Sequence, residues 1–244
     1  MISWLILHHN RPFFLQICID HLRKWGHPDW KIFVVDSGSE DRVKDGIKKL
    51  CVDDIYFNPF NDSSSSLMSG FEMCKGSDYI AFTEEDFIYV AKPLSRSEII
   101  DHDLFPEISF HDSVIGRGYN EAIRFMQGNP QVGYVNMCNK KSKPRHALKF
   151  MPFSHHTNWP HLMRSDCVEK ITLPANLNIA NIEYHCQQTA VQTFGPLYRM
   201  GAGYHSHIGN WMSVNPTMTQ IQVNIQSRCL RLAQQFGAPS IEVF

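Results

Sequence analysis

Apolar positions in the first ninety residues fall alternately into short continuous runs and helically spaced sets. "ISWLIL" is a run of strand length near the amino terminus. "PFFLQICIDHLRKW" follows, with Phe14, Ile17, Cys18, Leu22 and Trp25 at helical spacing, Asn10 as the expected N-cap and Pro12 in the first turn. "KIFVV" is a β-branched strand ending in the turn "DSGSED", after which Val43, Ile47 and Leu50 mark a second amphipathic helix. "DIYFN" predicts a third strand, "SSSSLMSGFEMC" a Ser-capped helix with Leu67, Phe71 and Cys74 inward, and "DYIAF" a fourth strand. Strands alternating with helices predict a mostly parallel sheet of right-handed βαβ units, covered by helices on both faces.

Beyond this regular part the pattern changes. From 91 to 130 only "YNEAIRFMQ" reads as a helix, so this stretch is an irregular insertion or lid. "QVGYVNM" and "HLMR" at 161 to 164 predict strands, separated by a basic loop and the His-rich "MPFSHHTNW". A short helix around "EYHCQQTAVQTFG", a strand at "PLYRM" and the segment "GAGYHSHIGNW" follow. From Thr217 to Phe236, Met218, Ile221, Ile225, Cys229, Leu232 and Phe236 share one helical face, which predicts packing back onto the body or a homodimer. The opposite face is Gln-rich and nearly uncharged, unlike that of a membrane-surface helix.

Composition narrows the class. With 43% hydrophobic and 19% charged residues, 244 residues suit one soluble globular domain. A net charge of −1 gives no electrostatic reason to expect nucleic acid or an anionic membrane as partner, despite the local basic stretch "NKKSKPRHALK" at 139 to 149. "ISWLIL" is too short to span a bilayer and has no basic region before it, so neither an integral membrane segment nor a signal peptide is expected, and the location is read as cytoplasmic. Seven cysteines without a CxxC argue for reduced thiols, with Cys18, Cys74 and Cys229 in the core.

Candidate chemistry gathers at strand ends. "HHN", "DSGSED" and the triplet Glu84, Glu85 and Asp86 in "YIAFTEEDFIYV" all fall after predicted strands, and ligands of such sheets collect beyond the strands' carboxyl ends. Adjacent carboxylates raise one another's pKa unless a cation joins them, and their oxygens suit magnesium or manganese. The alternative for the triplet is an ordinary charged turn. His8 and His9 either line a pocket or are simply hydrogen-bonded. His155, His156 and His161 could hold zinc but lack the HExxH spacing. Trp159 and Trp211 read equally as sugar-stacking or core residues, and Arg164 as a polar contact or a surface residue.

Together these segments resemble family 2 glycosyltransferases. "ISWLILHHNRPFFLQICIDHL" is similar to that family's opening strand and helix with a P-T-Y-N-R-P-like turn, "VVDSGSED" to V-D-D-G-S-x-D, and "GFEMCKGSDYIAFTEED" to G-x-x-x-A-x-G-D-Y-I-x-F-x-D-x-D, with the triplet as a Glu-Glu-Asp version of the DxD motif. Further on, Glu183 precedes Gly195 by twelve positions and "YHSHIG" follows, as a helix-starting acid, a glycine and a histidine-glycine element do in the family. The likeness covers 2 to 90 well and 160 to 210 loosely.

What the resemblance implies is an α/β GT-A domain over 1–216, with a nucleotide-binding half at 1–90, the insertion at 91–130, an acceptor-side half at 131–216 and a tail at 217–244. It implies metal-dependent sugar transfer: a nucleoside-diphosphate sugar as donor, UDP-linked by preference, a saccharide or glycolipid precursor as acceptor, manganese or magnesium as cofactor, and inversion at the sugar carbon. Asp36 would contact the nucleobase, His9 and Ser37 would line the nucleotide site, and Glu84 and Glu85 would meet ribose or metal-bound water. Asp86 would bind the metal with His207, His205 being the alternative on the expectation that the two rings face opposite sides of their strand. Glu183 would be the catalytic base. Two departures stand out: Ser66, Leu67 and Met68 replace the family's A-R-N, removing an arginine, and Tyr184 follows Glu183 where an Asp is usual. The alternatives are a catalytically silent nucleotide- or glycan-binding module of this fold and a nucleotidyltransferase, although "HHNRP" is not the glycine-rich basic loop of the latter.

Overall fold

A computed structural model describes residues 1–89, 114–137, 150–153, 160–177, 179–194, 197–200 and 205–207. Strand β1 (Ile2–His8) is buried along its whole length, which is why its sequence is a continuous apolar run rather than an alternating one. It lies between β2 (Lys31–Ser37) and β4 (Tyr79–Glu84), parallel to both, and β3 (Asp54–Asn58) runs parallel beside β2. The connecting helices are α1 (Pro12–Trp25), α2 (Asp41–Ile47) and α3 (Ser63–Met73).

The pleat of β1 sends its residues into two cores. Trp4 and Ile6 join Leu15, Ile19 and Val34, together with Tyr119 of α4 (Val114–Gly128). Leu5 and Leu7 face the other way, toward Leu67 and Phe71 of α3, Val168 of α5 (Ser165–Val168) and Ile182 of α6 (Ile179–Phe194). At Gly70 an added Cβ would lie 2.5 Å from the Leu5 side chain and 2.7 Å from that of Val35, so the missing side chain is what lets α3 sit this close to the sheet.

The second half extends the same sheet. Strand β8 (His161–Arg164) runs antiparallel to β4, β6 (Tyr134–Asn136) antiparallel to β8, β9 (Leu197–Met200) parallel to β6, and β7 (Phe150–Phe153) antiparallel to β9. The order is β3-β2-β1-β4-β8-β6-β9-β7, a mixed, mostly parallel sheet of eight strands. Two further strands, β5 (Phe87–Tyr89) and β10 (His205–His207), pair antiparallel as a separate ribbon.

Several local expectations change. Asn10 does not cap α1: it takes a left-handed φ of 53°, and the capping position falls to Arg11, directly before Pro12. Helix α3 is capped by Asp62 rather than by serine, because that carboxylate accepts the backbone N–H groups of Ser64 and Ser65. Helix α4 starts before "YNEAIRFMQ", α6 is four turns rather than a short helix, and β7 lies where the sequence pattern predicts a separating loop. The free cysteines Cys18, Cys74, Cys167 and Cys186 are buried and Cys51 is exposed. Most of the predicted insertion, the basic loop, His155, His156, Trp159, Trp211, Cys229 and the tail at 217–244 lie outside the described residues.

Candidate active site

The acidic triplet is divided by the fold. Glu84 ends β4 opposite Leu7, and the next N–H, that of Glu85, still donates to the Leu7 carbonyl at 3.2 Å. Glu85 and Asp86 then form a two-residue turn into β5, and both are buried. A guanidinium meets this pair: Arg11 Nε lies 3.0 Å from Glu85 Oε1 and Arg11 Nη1 lies 2.7 Å from Asp86 Oδ2. Arg11 comes from the turn between β1 and α1 and remains half-exposed, with its guanidinium 5.7 Å from the centre of the Phe14 ring.

Burial pushes the Glu85 carboxyl up to about 8; Arg11 pulls against that shift and Asp86 adds to it. The same acids bear on α1, where burial, with Glu85 and Asp86 adding, drives the Cys18 thiol well above its usual range. Cys18 is therefore a packing residue and not a nucleophile.

The turns after β1 and β2 are tied together. Asn10 donates its N–H to Ser39 Oγ at 2.8 Å and accepts the Glu40 N–H on Oδ1 at 2.9 Å. His9 Nδ1 lies 2.7 Å from the Ser37 carbonyl, to which it can only donate. Asp36 is fully buried, and both its oxygens accept the Ser39 N–H at 3.1 Å. Beside it, His8 accepts the Arg11 N–H on Nε2 at 3.2 Å, which puts the ring proton on Nδ1, 3.7 Å from Asp36 Oδ1. Burial holds His8 below its usual pKa against the pull of Asp36, so the ring stays neutral. Burial acts to raise the Asp36 carboxyl, but His8 and the Ser39 contacts outweigh it and keep this group below the ordinary carboxylate range.

His9, Asp36, Ser37, Glu84, Glu85 and Asp86 thus share one rim of the sheet, the carboxyl ends of β1, β2 and β4. His207 reaches the same place by another route: β10 pairs with β5 so that residue 207 stands opposite Phe87, next to Asp86 in the chain. The expectation that His205 and His207 face opposite sides is corrected, because positions two apart on a strand share a face, and β10 contains both. Glu183 lies on the second turn of α6, not at its start as the spacing suggests. A carboxylate there gains little from the helix dipole, whose effect is confined to the first turn.

Two candidates belong elsewhere. Arg164 pairs with Tyr79 at the opposite end of β4, about 17 Å from Glu84 at strand rise, and is bound to Asp166 and the Pro130 carbonyl. His161 is a core residue, its ring 5.1 Å from that of Phe82 and 4.9 Å from that of Tyr134. Sequence reasoning misses Arg11, although a cation just after the first strand, facing three acids after the fourth, is a charge complement visible in the chain. Among the described residues, no three His, Cys, Asp or Glu side chains converge as a complete metal-ligand set. No described helix is long and apolar enough to cross a membrane.

Comparison with known proteins agrees with this architecture. Residues 3–96 match the family described as glycosyl transferase family 2, a stretch that ends just past the acidic turn. No curated protein matches the chain. Among solved structures, S. aureus TarS 1-349 superposes with a TM-score of 0.54 at 12% identity, over 96% of this chain and 72% of that one. A second S. aureus TarS structure gives 0.55 at 10% identity, over 98% of this chain but only 44% of that one. Glucosyl-3-phosphoglycerate synthase from Mycobacterium tuberculosis, in complex with Mn2+, UDP and glucosyl-3-phosphoglycerate, gives 0.53 at 11% identity, over 99% of this chain and 81% of that one. Residues 3–96 thus carry a likeness to glycosyl transferase family 2, and the chain as a whole shares the fold of these solved structures.

Proposed function

We propose that the protein transfers a sugar from a nucleoside-diphosphate sugar, UDP-linked by preference, to a hydroxyl of a saccharide or glycolipid precursor, with inversion and with bound manganese or magnesium. The observation that carries this reading is the buried Glu85–Asp86 turn at the carboxyl end of β4, where two carboxylates already engage one cationic group, Arg11. Such a donor set fits a hard divalent cation, which typically takes one or two carboxylates and completes its shell with phosphate and water. Asp86 would hold it, with His207 as the second protein ligand, an assignment favoured by the pairing of β10 with β5. The UDP preference rests on the UDP complex of the mycobacterial synthase.

In this reading Asp36 and Ser37 stand at the nucleobase end of the rim, His9 beside them, and Glu84 and Glu85 toward the ribose and the metal's water. When bound, the cation offsets the negative charge of the departing diphosphate. Glu183 accepts the proton of the acceptor hydroxyl as its oxygen bonds to the sugar carbon, while the bond from that carbon to phosphate oxygen breaks on the opposite side. Arg11 pairs with both acids of the turn and pulls against the burial that raises the Glu85 carboxyl.

The experiment is release of nucleoside diphosphate from a panel of UDP- and GDP-sugars offered with saccharide acceptors. Turnover with manganese that stops in chelator supports the reading; no turnover with any donor and acceptor pair counts against it. Stability supplies an independent prediction. Arg11→Met leaves two adjacent buried carboxylates without their guanidinium, which should cost about 1–3 kcal/mol because Arg11 itself is half-exposed. In chelator Tm should fall by roughly 2–12 °C. Manganese should then raise Tm more in the variant than in the wild type, and an equal rise would separate Arg11 from the cation site.

A further inference from the structure

The geometry points to Phe60 as the surface on which the donor's nucleobase stacks. This inference rests on the rim being a sugar-nucleotide site and deepens it by naming what recognises the base. Phe60 is 72% exposed, the most exposed large hydrophobic side chain among the described residues. Its backbone is nevertheless fixed on both sides: its N–H donates to Asn58 Oδ1 at 3.0 Å, and its carbonyl accepts the Asp62 N–H at 2.8 Å. Asn58 is buried at the end of β3 and donates through Nδ2 to Ser65 Oγ at 2.8 Å and Ser66 Oγ at 2.9 Å. The loop is thus anchored to α3 while its one aromatic ring stands in solvent.

Its position gives the ring a use. Gly38, two residues after Asp36, has φ 71°, and a Cβ there would lie 2.5 Å from the Phe60 carbonyl carbon and from the Asn61 nitrogen. The Phe60 backbone therefore lies directly against the turn that follows β2, beside Asp36 and Ser37. A ring on a fixed backbone loses little freedom on binding, and a flat apolar face suits any nucleobase. The phosphate- or base-contacting arginine that the family resemblance implies is absent here, where Ser66, Leu67 and Met68 stand, so no such cation competes with the ring on the β3–α3 side at those three positions.

The test is calorimetric titration, in manganese, of wild type, Phe60→Ser and Phe60→Trp with UDP, GDP and methyl diphosphate, the last having phosphates but no base. Phe60→Ser should weaken the better-bound nucleotide roughly five- to a hundredfold, leave methyl diphosphate within about twofold, and be rescued by Phe60→Trp. Because the ring is exposed, Tm should stay within about 2 °C of wild type, which separates lost stacking from lost fold. Unchanged nucleotide affinity in Phe60→Ser, or an equal loss for methyl diphosphate, overturns the stacking role and leaves the functional reading intact. A wild type that binds neither nucleotide overturns both.

Discussion

Glu183→Gln is expected to abolish sugar transfer while sparing donor binding. A positioned general base contributes roughly a hundred- to ten-thousandfold to rate, and glutamine keeps the shape of the side chain without its capacity to take a proton. With manganese and saturating donor, kcat should fall by that factor while the affinity for UDP stays within about twofold. Glu183 follows buried Ile182 and precedes exposed Tyr184 on α6, a helix whose Ile182, Cys186 and Ala190 pack into the same core as Leu7 of the strand leading to the rim. Since Glu183 stands on the second turn, the bland explanation of an acid placed to favour a helix start loses force. Loss of turnover and nucleotide affinity together, with a lowered Tm, would instead mark the residue as structural.

Asp86→Asn should act on the other side of the reaction. Removing one carboxylate charge from the turn weakens any divalent cation there, and changing even an indirect contact to a bound metal commonly costs roughly ten- to a hundredfold in affinity. A direct ligand should cost at least about a hundredfold in manganese-dependent UDP affinity. Binding measured in chelator should hardly change, because the nucleobase and ribose contacts proposed above involve other residues of the rim. The variant also removes one of the two Arg11 ion pairs, so its stability in chelator must be measured beside its binding. A fall in affinity of the same size with and without manganese would assign Asp86 to the nucleotide itself rather than to the cation.

The parts of the fold that can be read from the chain are those whose pattern is local. Strand β1 is buried on both faces and so carries an unbroken apolar run, and Phe14, Ile17, Cys18 and Leu22 recur at helical spacing because α1 turns one face to the sheet. Strand β7 cannot be read that way, since Phe150–Phe153 includes a proline and gains its identity only from pairing with β9. The capping error at α3 has a similar origin: Asp62 and the four following serines are all competent caps, and only the geometry of the turn decides among them.

The site divides in the same way. The acids, Asp36 and the histidines are legible because residues of those types cluster after strands. What cannot be read is which of them the protein itself already engages. Asp36 is fully covered by His8 and the Ser39 turn, and the acid pair shares a guanidinium, arrangements made by residues far apart in the chain, 75 positions in the case of Arg11 and Asp86. Arg11 is easily overlooked because N-R-P reads first as a helix start, which draws attention to the proline and away from the charge beside it.

The most direct test of a metal-dependent sugar-nucleotide site is the thermal midpoint of the wild-type protein with UDP and with GDP, each in manganese and in chelator. A nucleotide at a hundredfold its dissociation constant stabilises by about 2.7 kcal/mol, which for a chain of this length is roughly 5–11 °C. The account predicts that shift with at least one nucleotide in manganese, larger with UDP, and its loss in chelator. No shift with either nucleotide in manganese, or the same shift in chelator, would contradict it.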